Sequence, residues 1–188
     1  MKKNQSGFTI LELLIVVAII AILATIISYS VIKARAQSRD SKRIVDIAQL
    51  KTALRQYYDQ NGYFPISNAG SGCGATVPNS AWCNSVQSYS SGHWIRHYGT
   101  SGVLSPFLAA EPVDPKQGST AKYLPSSGGT YFYLSTYPGN WYMIIYGLES
   151  YPNNEIEQSD GVTNCTPTYY HYGNNSNGII TTGQSCIQ

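Results

Sequence analysis

Between Gly7 and Lys33 the chain carries a single charged side chain, Glu12, and neither Gly nor Pro. A continuous helix over this run of roughly 25 residues rises about 37 Å, enough to cross the ~30 Å hydrocarbon core of a bilayer with some tilt. Lipid offers the backbone no hydrogen-bond partners, so an isolated apolar span of this length has to be helical. Lys2 and Lys3 precede the run, and Gly7 stands at its junction with the polar leader. Glu12 lies one turn inside. A charge in a membrane helix costs on the order of 3 kcal/mol and calls for a partner. No Lys, Arg or His occurs between Phe8 and Ile32, so the partner has to be the amino terminus or another molecule. A secretory signal also begins with basic residues, but its apolar core is about 7–15 residues and is cut behind that core. An ordinary single-pass anchor, with Glu12 tolerated near the interface, is the competing reading.

The residues Gly7-Phe8-Thr9-Ile10-Leu11-Glu12-Leu13-Leu14 resemble the prepilin signal of type IV pilins and of the pseudopilins of type II secretion. The resemblance implies cleavage between Gly7 and Phe8 by a prepilin peptidase and N-methylation of Phe8. It also implies that Glu12 pairs with the amino-terminal charge of a neighbouring subunit during filament assembly. Two opposite charges in a low-dielectric setting can offset each other's desolvation, whereas either alone is strongly unfavourable. Many members of that family carry a Pro in the apolar helix. This chain has none, so an uninterrupted helix is expected.

Residues 33–61 extend the helix as an amphipathic segment. Ile44, Ile47, Leu50, Leu54 and Tyr57 or Tyr58 recur at three- and four-residue steps, the pattern of one buried face. Lys42 with Asp46 and Arg55 with Asp59 are spaced to pair across one turn. Lys33, Arg35, Arg39, Lys42, Arg43, Lys51 and Arg55 form a basic stripe. Its simplest reading is a solvated helix face; its functional reading is contact with acidic groups on neighbouring subunits or with phospholipid headgroups. A basic stripe just beyond the membrane runs against the positive-inside rule if this side is extracytoplasmic. Asn61-Gly62 ends the helix and Pro65 prevents its continuation. Tyr57, Tyr63 and Phe64 are expected to pack the domain onto the helix.

Residues 62–188 read as a globular domain. Four cysteines allow three connectivities. Local pairs, Cys73 with Cys83 and Cys165 with Cys186, are expected because each would tie down a polar segment. Disulfides point to an oxidising compartment. Residues 94–103 and 104–110 are each expected to contain a helical turn. Residues 130–135 and 141–146, aromatic and β-branched around Tyr137-Pro138-Gly139-Asn140, read as a hairpin with one core face toward the helix. Weaker strands are expected at 168–172 and 178–182. The segment Glu111-Pro112-Val113-Asp114-Pro115 resembles the Pro-x-Asp-Pro run that precedes the sheet in pseudopilins. Residues and resemblance therefore agree on an α+β, pilin-like fold: a long N-terminal helix on a small antiparallel sheet.

The function expected is structural, with no catalytic residues and no cofactor. Of Asp114, Glu149, Glu155, Glu157 and Asp160, most sit in polar loops and are expected to be solvated. His93, His97 and His171 have no familiar ligand spacing. The oxygen-rich run Asn153, Asn154, Glu155, Glu157 and Asp160 is the sole calcium candidate. The net charge of +2 vanishes once Lys2 and Lys3 are set aside, since ten basic and ten acidic side chains remain; net charge gives no support to a nucleic-acid partner. The sequence divides into a leader (1–7), a transmembrane and filament-core half of the helix (8–32), an amphipathic half (33–61) and the domain. The expected partners are identical or related subunits in a helical filament, the prepilin peptidase, an assembly platform, and membrane lipid before assembly. The expected location is a single-pass membrane precursor with an extracytoplasmic domain, then an extracellular pilus or envelope pseudopilus. A non-polymerising, membrane-anchored binding or adhesion module is the alternative.

Overall fold

The computed structural model of the chain describes residues 8–67, 82–87, 92–97, 100–116, 130–150, 161–171 and 178–187. Gly7, Cys73 and the calcium candidates from Asn153 to Asp160 lie outside them.

One helix, α1 (Ile10–Asn61, 52 residues), dominates the fold. At 1.5 Å per residue it is about 78 Å long. Gly62 ends it in the left-handed conformation, φ +77°, and its N–H donates to the Tyr58 carbonyl at 2.7 Å. A side chain there would be strained, which is why Gly suits this stop.

The first half of α1 packs against none of the described residues. Phe8, Ile10 and Ile32 are 83%, 85% and 67% exposed, and every residue between them is exposed as well. Burial starts at Asp40. Asp40, Arg43, Ile47, Leu50, Leu54 and Tyr57 then form one buried stripe, flanked by Asp46 and Ala53. Ile44 is only partly buried.

The domain is built on a four-stranded antiparallel sheet in the order β1–β4–β5–β8. The strands are β1 (Cys83–Asn84), β4 (Phe132–Leu134), β5 (Tyr142–Gly147) and β8 (Ile179–Gln184). Two ribbons lie outside it: β2 (Arg96–His97) with β3 (Thr100–Ser101), and β6 (Val162–Thr163) with β7 (Tyr169–Tyr170). Strands β4 and β5 form the hairpin predicted from the aromatic run, with Phe132 opposite Ile145 and a cis Tyr137–Pro138 peptide in the turn.

Alternation along the strands divides the core in two. Tyr131, Tyr133, Tyr142, Ile144, Tyr146 and Ile180 face the helix and join Ile47, Leu50, Leu54 and Tyr57. Phe132, Leu134, Trp141, Met143, Ile145 and Ile179 face the other way and pack with Val162 and Tyr170 of the second ribbon. Trp141 lies parallel to Tyr170, with ring centroids 5.5 Å apart.

Several sequence expectations are corrected here. The sheet has two covered faces rather than one, because the β6–β7 ribbon closes the outer side; all six residues of β5 are therefore buried. The strand expected at 178–182 does form, and it pairs with β5 along six residues. The strand expected at 168–172 belongs to the outer ribbon rather than to the sheet. Among the described residues of 94–103 no helical turn forms. The Trp94 and Ile95 N–H groups are held by the Glu111 carboxylate, and Gly102 adopts φ +75°, so the chain runs as the β2–β3 ribbon. A helical turn does form after it, where Leu108 N–H donates to the Leu104 carbonyl at 2.9 Å.

A disulfide joins Cys165 to Cys186, with Cα atoms 5.0 Å apart and a sequence separation of 21. In chain-entropy terms a loop of this size contributes about 3 kcal/mol by restricting the unfolded chain. Cys83 is also disulfide-bonded.

Candidate functional site

Two constellations of charged side chains stand out, one at each end of the exposed helix half. The first is at the amino-terminal end. Thr9 is the N-cap of α1. Its hydroxyl accepts from the Glu12 N–H at 3.3 Å, while the Glu12 carboxylate accepts from the Thr9 N–H at 2.9 Å and the Thr9 hydroxyl at 2.7 Å. This reciprocal arrangement is a capping box, and it satisfies backbone donors that a helix start leaves open. Sequence reasoning missed this role, although Thr-x-x-Glu before an apolar run is its signature. Glu12 thus has a local partner in the single chain, but that partner carries no positive charge. Further along, the hydroxyls of Thr25, Ser28 and Ser30 donate to the carbonyls of Ile22, Ala24 and Ile26. These three hydroxyls are thereby satisfied within the helix itself.

The second constellation begins where burial begins. The Arg43 side chain is fully buried. Its Nε and Nη2 bind Asp114 Oδ2 and Oδ1 at 2.7 and 2.9 Å. Its Nη1 reaches Asp40 at 2.7 Å and its Nη2 reaches Glu149 at 2.7 Å. Arg39 binds Glu149 in the same two-pronged way, at 2.8 and 2.7 Å. Lys116 approaches Glu149 at 3.5 Å. Asp40 also accepts from the N–H groups of Glu149 and Ser150 and from the Ser150 hydroxyl. Three cations and three carboxylates balance. Paired forks of this kind are the strong form of ionic hydrogen bond, and Arg geometry suits them.

Burial by itself would depress the Arg43 guanidinium, but its hydrogen bonds to Asp114 and Glu149 more than offset this and hold it protonated beyond the ordinary range. The fork from Arg39, with help from Arg43, pulls the Glu149 carboxyl down to about 2. The expectation that Asp114 and Glu149 are solvated is therefore overturned: Asp114 is 2% exposed and Glu149 anchors two arginines. The reading of the basic stripe as one solvated face fails for the same reason at Arg39 and Arg43. The turn-spaced pairs do form, Lys42 with Asp46 at 2.8 Å and Arg55 with Asp59 at 3.1 Å. Asp46 also accepts from the Tyr131 hydroxyl at 3.0 Å, which ties the helix to the strand region.

Glu111 is a further buried carboxylate. Glu111 Oε2 accepts from the N–H groups of Trp94 and Ile95 at 2.6 and 2.5 Å. Glu111 Oε1 and His93 Nδ1 face each other at 3.5 Å, both buried and neither hydrogen-bonded. Burial pushes the Glu111 carboxyl up to about 7, against the pull of the two N–H groups. The folded state therefore holds a proton that the unfolded carboxyl, near 4.5, has released. The contribution of Glu111 to stability therefore falls as pH rises from about 4.5 to about 7, by about 3 kcal/mol at 1.36 kcal/mol per unit. Glu149 acts in the opposite sense: its contribution is present above about 4.5 and is lost as pH falls toward 2. We predict that Glu111→Gln flattens the decline between pH 4.5 and 7, measured by urea unfolding of the full chain in detergent. An unchanged slope in the variant would assign the decline to other groups.

Among the described residues, no group of three or more His, Cys, Asp or Glu is placed to hold a metal ion. The histidines are dispersed: His97 accepts from the Ile66 N–H through Nδ1 at 3.0 Å, and His171 stacks on Tyr169. What the fold presents is a long apolar helix half with nothing on it, carried on a disulfide-bonded α+β domain. This is the architecture of a subunit that needs other surfaces to cover its helix.

Comparison with known proteins agrees. The prokaryotic N-terminal methylation motif matches residues 2–28. A fimbrial protein of Eikenella corrodens, EcpC, is 34% identical over 151 residues, covering 68% of this chain and 92% of that protein. The type II secretion system core protein G of Aeromonas hydrophila is 28% identical over 111 residues, 59% of this chain and 76% of that protein. The type IV major pilin protein PilE1 of Neisseria gonorrhoeae is 39% identical over 74 residues, 38% of this chain and 44% of that protein. No solved structure matches the chain. The chain belongs to the type IV pilin and pseudopilin family, whose members are structural subunits rather than enzymes.

Proposed function

We propose that the chain is made as a single-pass membrane precursor, cut between Gly7 and Phe8 by a prepilin peptidase, methylated at Phe8, and built into a helical filament. The filament is a type IV pilus or a type II secretion-like pseudopilus. The observation that carries this reading is the bare apolar half of α1, exposed from Phe8 to Ile32. Such a surface is stable in lipid or against copies of itself, and not in water. In the membrane it is a spanning helix; in the filament it packs among neighbouring helices, with residues 62–188 outside. A head-to-tail contact that does not close generates a filament.

Glu12 supplies the specificity of that contact. Its carboxylate pairs with the amino-terminal charge of the neighbouring subunit, a cation the single chain lacks in this helix half. An assembly platform transfers the subunit from lipid to filament.

The test is an intact-mass and N-terminal peptide analysis of material sheared from the producing cells. A chain beginning at methylated Phe8 in the sheared fraction is the expected result. A chain still beginning at Met1 and found only in membranes would favour an anchored, non-polymerising module and overturn the proposal.

A further inference from the structure

We propose that Lys33 and Arg35 form a collar for anionic phospholipid headgroups at the end of the membrane span; this rests on the membrane-precursor reading above. Arg39, Lys42, Arg43 and Arg55 each hold a carboxylate within the chain. Lys33 and Arg35 are exposed and have no acidic side chain within ion-pair distance among the described residues. They follow directly on Ile32, the last residue of the apolar run.

Their depth fits the headgroup layer. The layer is roughly 6 Å thick on each side of the hydrocarbon core. At 1.5 Å per residue Lys33 and Arg35 stand about 1.5 and 4.5 Å beyond Ile32. Residues 33–35 are exposed, and the first tie to the domain is the Arg39 pair with Glu149, so the helix at Lys33 and Arg35 is free to pass through that layer. Tyr29, 73% exposed, sits four residues before Lys33 and on the same side of the helix. A Tyr followed by a cation one turn later is the arrangement that anchors a helix at a membrane interface.

Their direction favours lipid over a single protein neighbour. Residues two apart on a helix point to nearly opposite sides. One acidic patch on one neighbouring subunit cannot take both cations, whereas a planar layer of headgroups surrounds the helix. Long basic side chains near a helix end extend their charge into this layer while their methylenes stay on the apolar surface.

The experiment uses the full chain in phosphatidylcholine vesicles with trace spin-labelled phosphatidylglycerol or phosphatidylcholine, read by electron spin resonance as lipid held at the protein surface. Each cation near an anionic headgroup is worth about 1 kcal/mol, so the pair should give the wild type a roughly thirtyfold preference for phosphatidylglycerol at low salt. K33Q/R35Q should lose most of the preference that remains in a K2Q/K3Q background, where the leader's own cations have been removed. An equal preference with and without K33Q/R35Q in that background would overturn the proposal. Unchanged lipid preference with fewer sheared filaments from K33Q/R35Q would assign the pair to a subunit contact instead. Absence of any held lipid would refute the membrane reading itself, and this proposal with it.

Discussion

Replacing Arg43 with methionine should lower the unfolding free energy by about 3–5 kcal/mol. The substitution keeps a long, flexible chain in the site and removes only the charge and its donors. Asp40 and Asp114, both with fully buried side chains, would then face each other without a cation between them. Breaking a buried ion pair from one side costs more than the pair is worth, because the remaining charge keeps its desolvation penalty. Arg43→Lys should fall between wild type and Arg43→Met. It restores the charge but cannot grip both Asp114 oxygens as a planar fork. The measurement is denaturant unfolding of the full chain in detergent, followed by the fluorescence of the buried Trp94 and Trp141. A loss below about 1 kcal/mol, the level of an exposed pair, would show that the cluster is solvated in solution.

Filament yield should collapse when Glu12 loses its charge, and two variants separate the reasons. Glu12→Ala removes both the carboxylate and the capping box. Glu12→Gln keeps an acceptor that can serve the Thr9 N–H, since Gln fills the same capping position. A capping box is worth about 1 kcal/mol to the helix, too little to abolish assembly. An amino-terminal charge left without its counter-ion in an apolar filament core costs several kcal/mol at every subunit. Both variants should therefore insert into the membrane and be processed, and both should leave sheared filaments below detection. If Glu12→Gln assembled normally while Glu12→Ala did not, the residue would be a cap and not a charge partner.

The long helix was legible because two periodicities are written over it: an unbroken apolar run, then apolar residues at three- and four-residue steps. The helix stop at Gly62 and the aromatic hairpin were legible for equally local reasons. The Arg43 cluster was not read, since a basic residue in a polar helix segment is ordinarily solvated. A signal was nevertheless present. Positions 40, 43, 47, 50, 54 and 57 follow one alternating step of three and four, so the charged residues lie on the same stripe as the core leucines. Their partners Asp114 and Glu149 come from 71 and more than 100 positions away, and no local pattern could supply them. The second core was missed for a similar reason. The ribbon that covers the outer face of the sheet consists of two-residue strands, too short to leave a period. At the amino terminus the leader motif drew the reading toward the neighbouring subunit, and the contact of Glu12 with its own Thr9 went unread.

The ionic joint stands at the end of the helix–domain seam nearest the bare helix half. Tension drawn along α1 toward the domain therefore meets the forks of Arg43 and Arg39 before it meets Leu50 or Leu54. Those forks join the helix to Asp114 and Glu149, so a load along the helix falls on them first. The apolar contacts behind them, which hold through area and not direction, stay in reserve. Mechanically, the subunit is riveted at the leading edge of its glued seam.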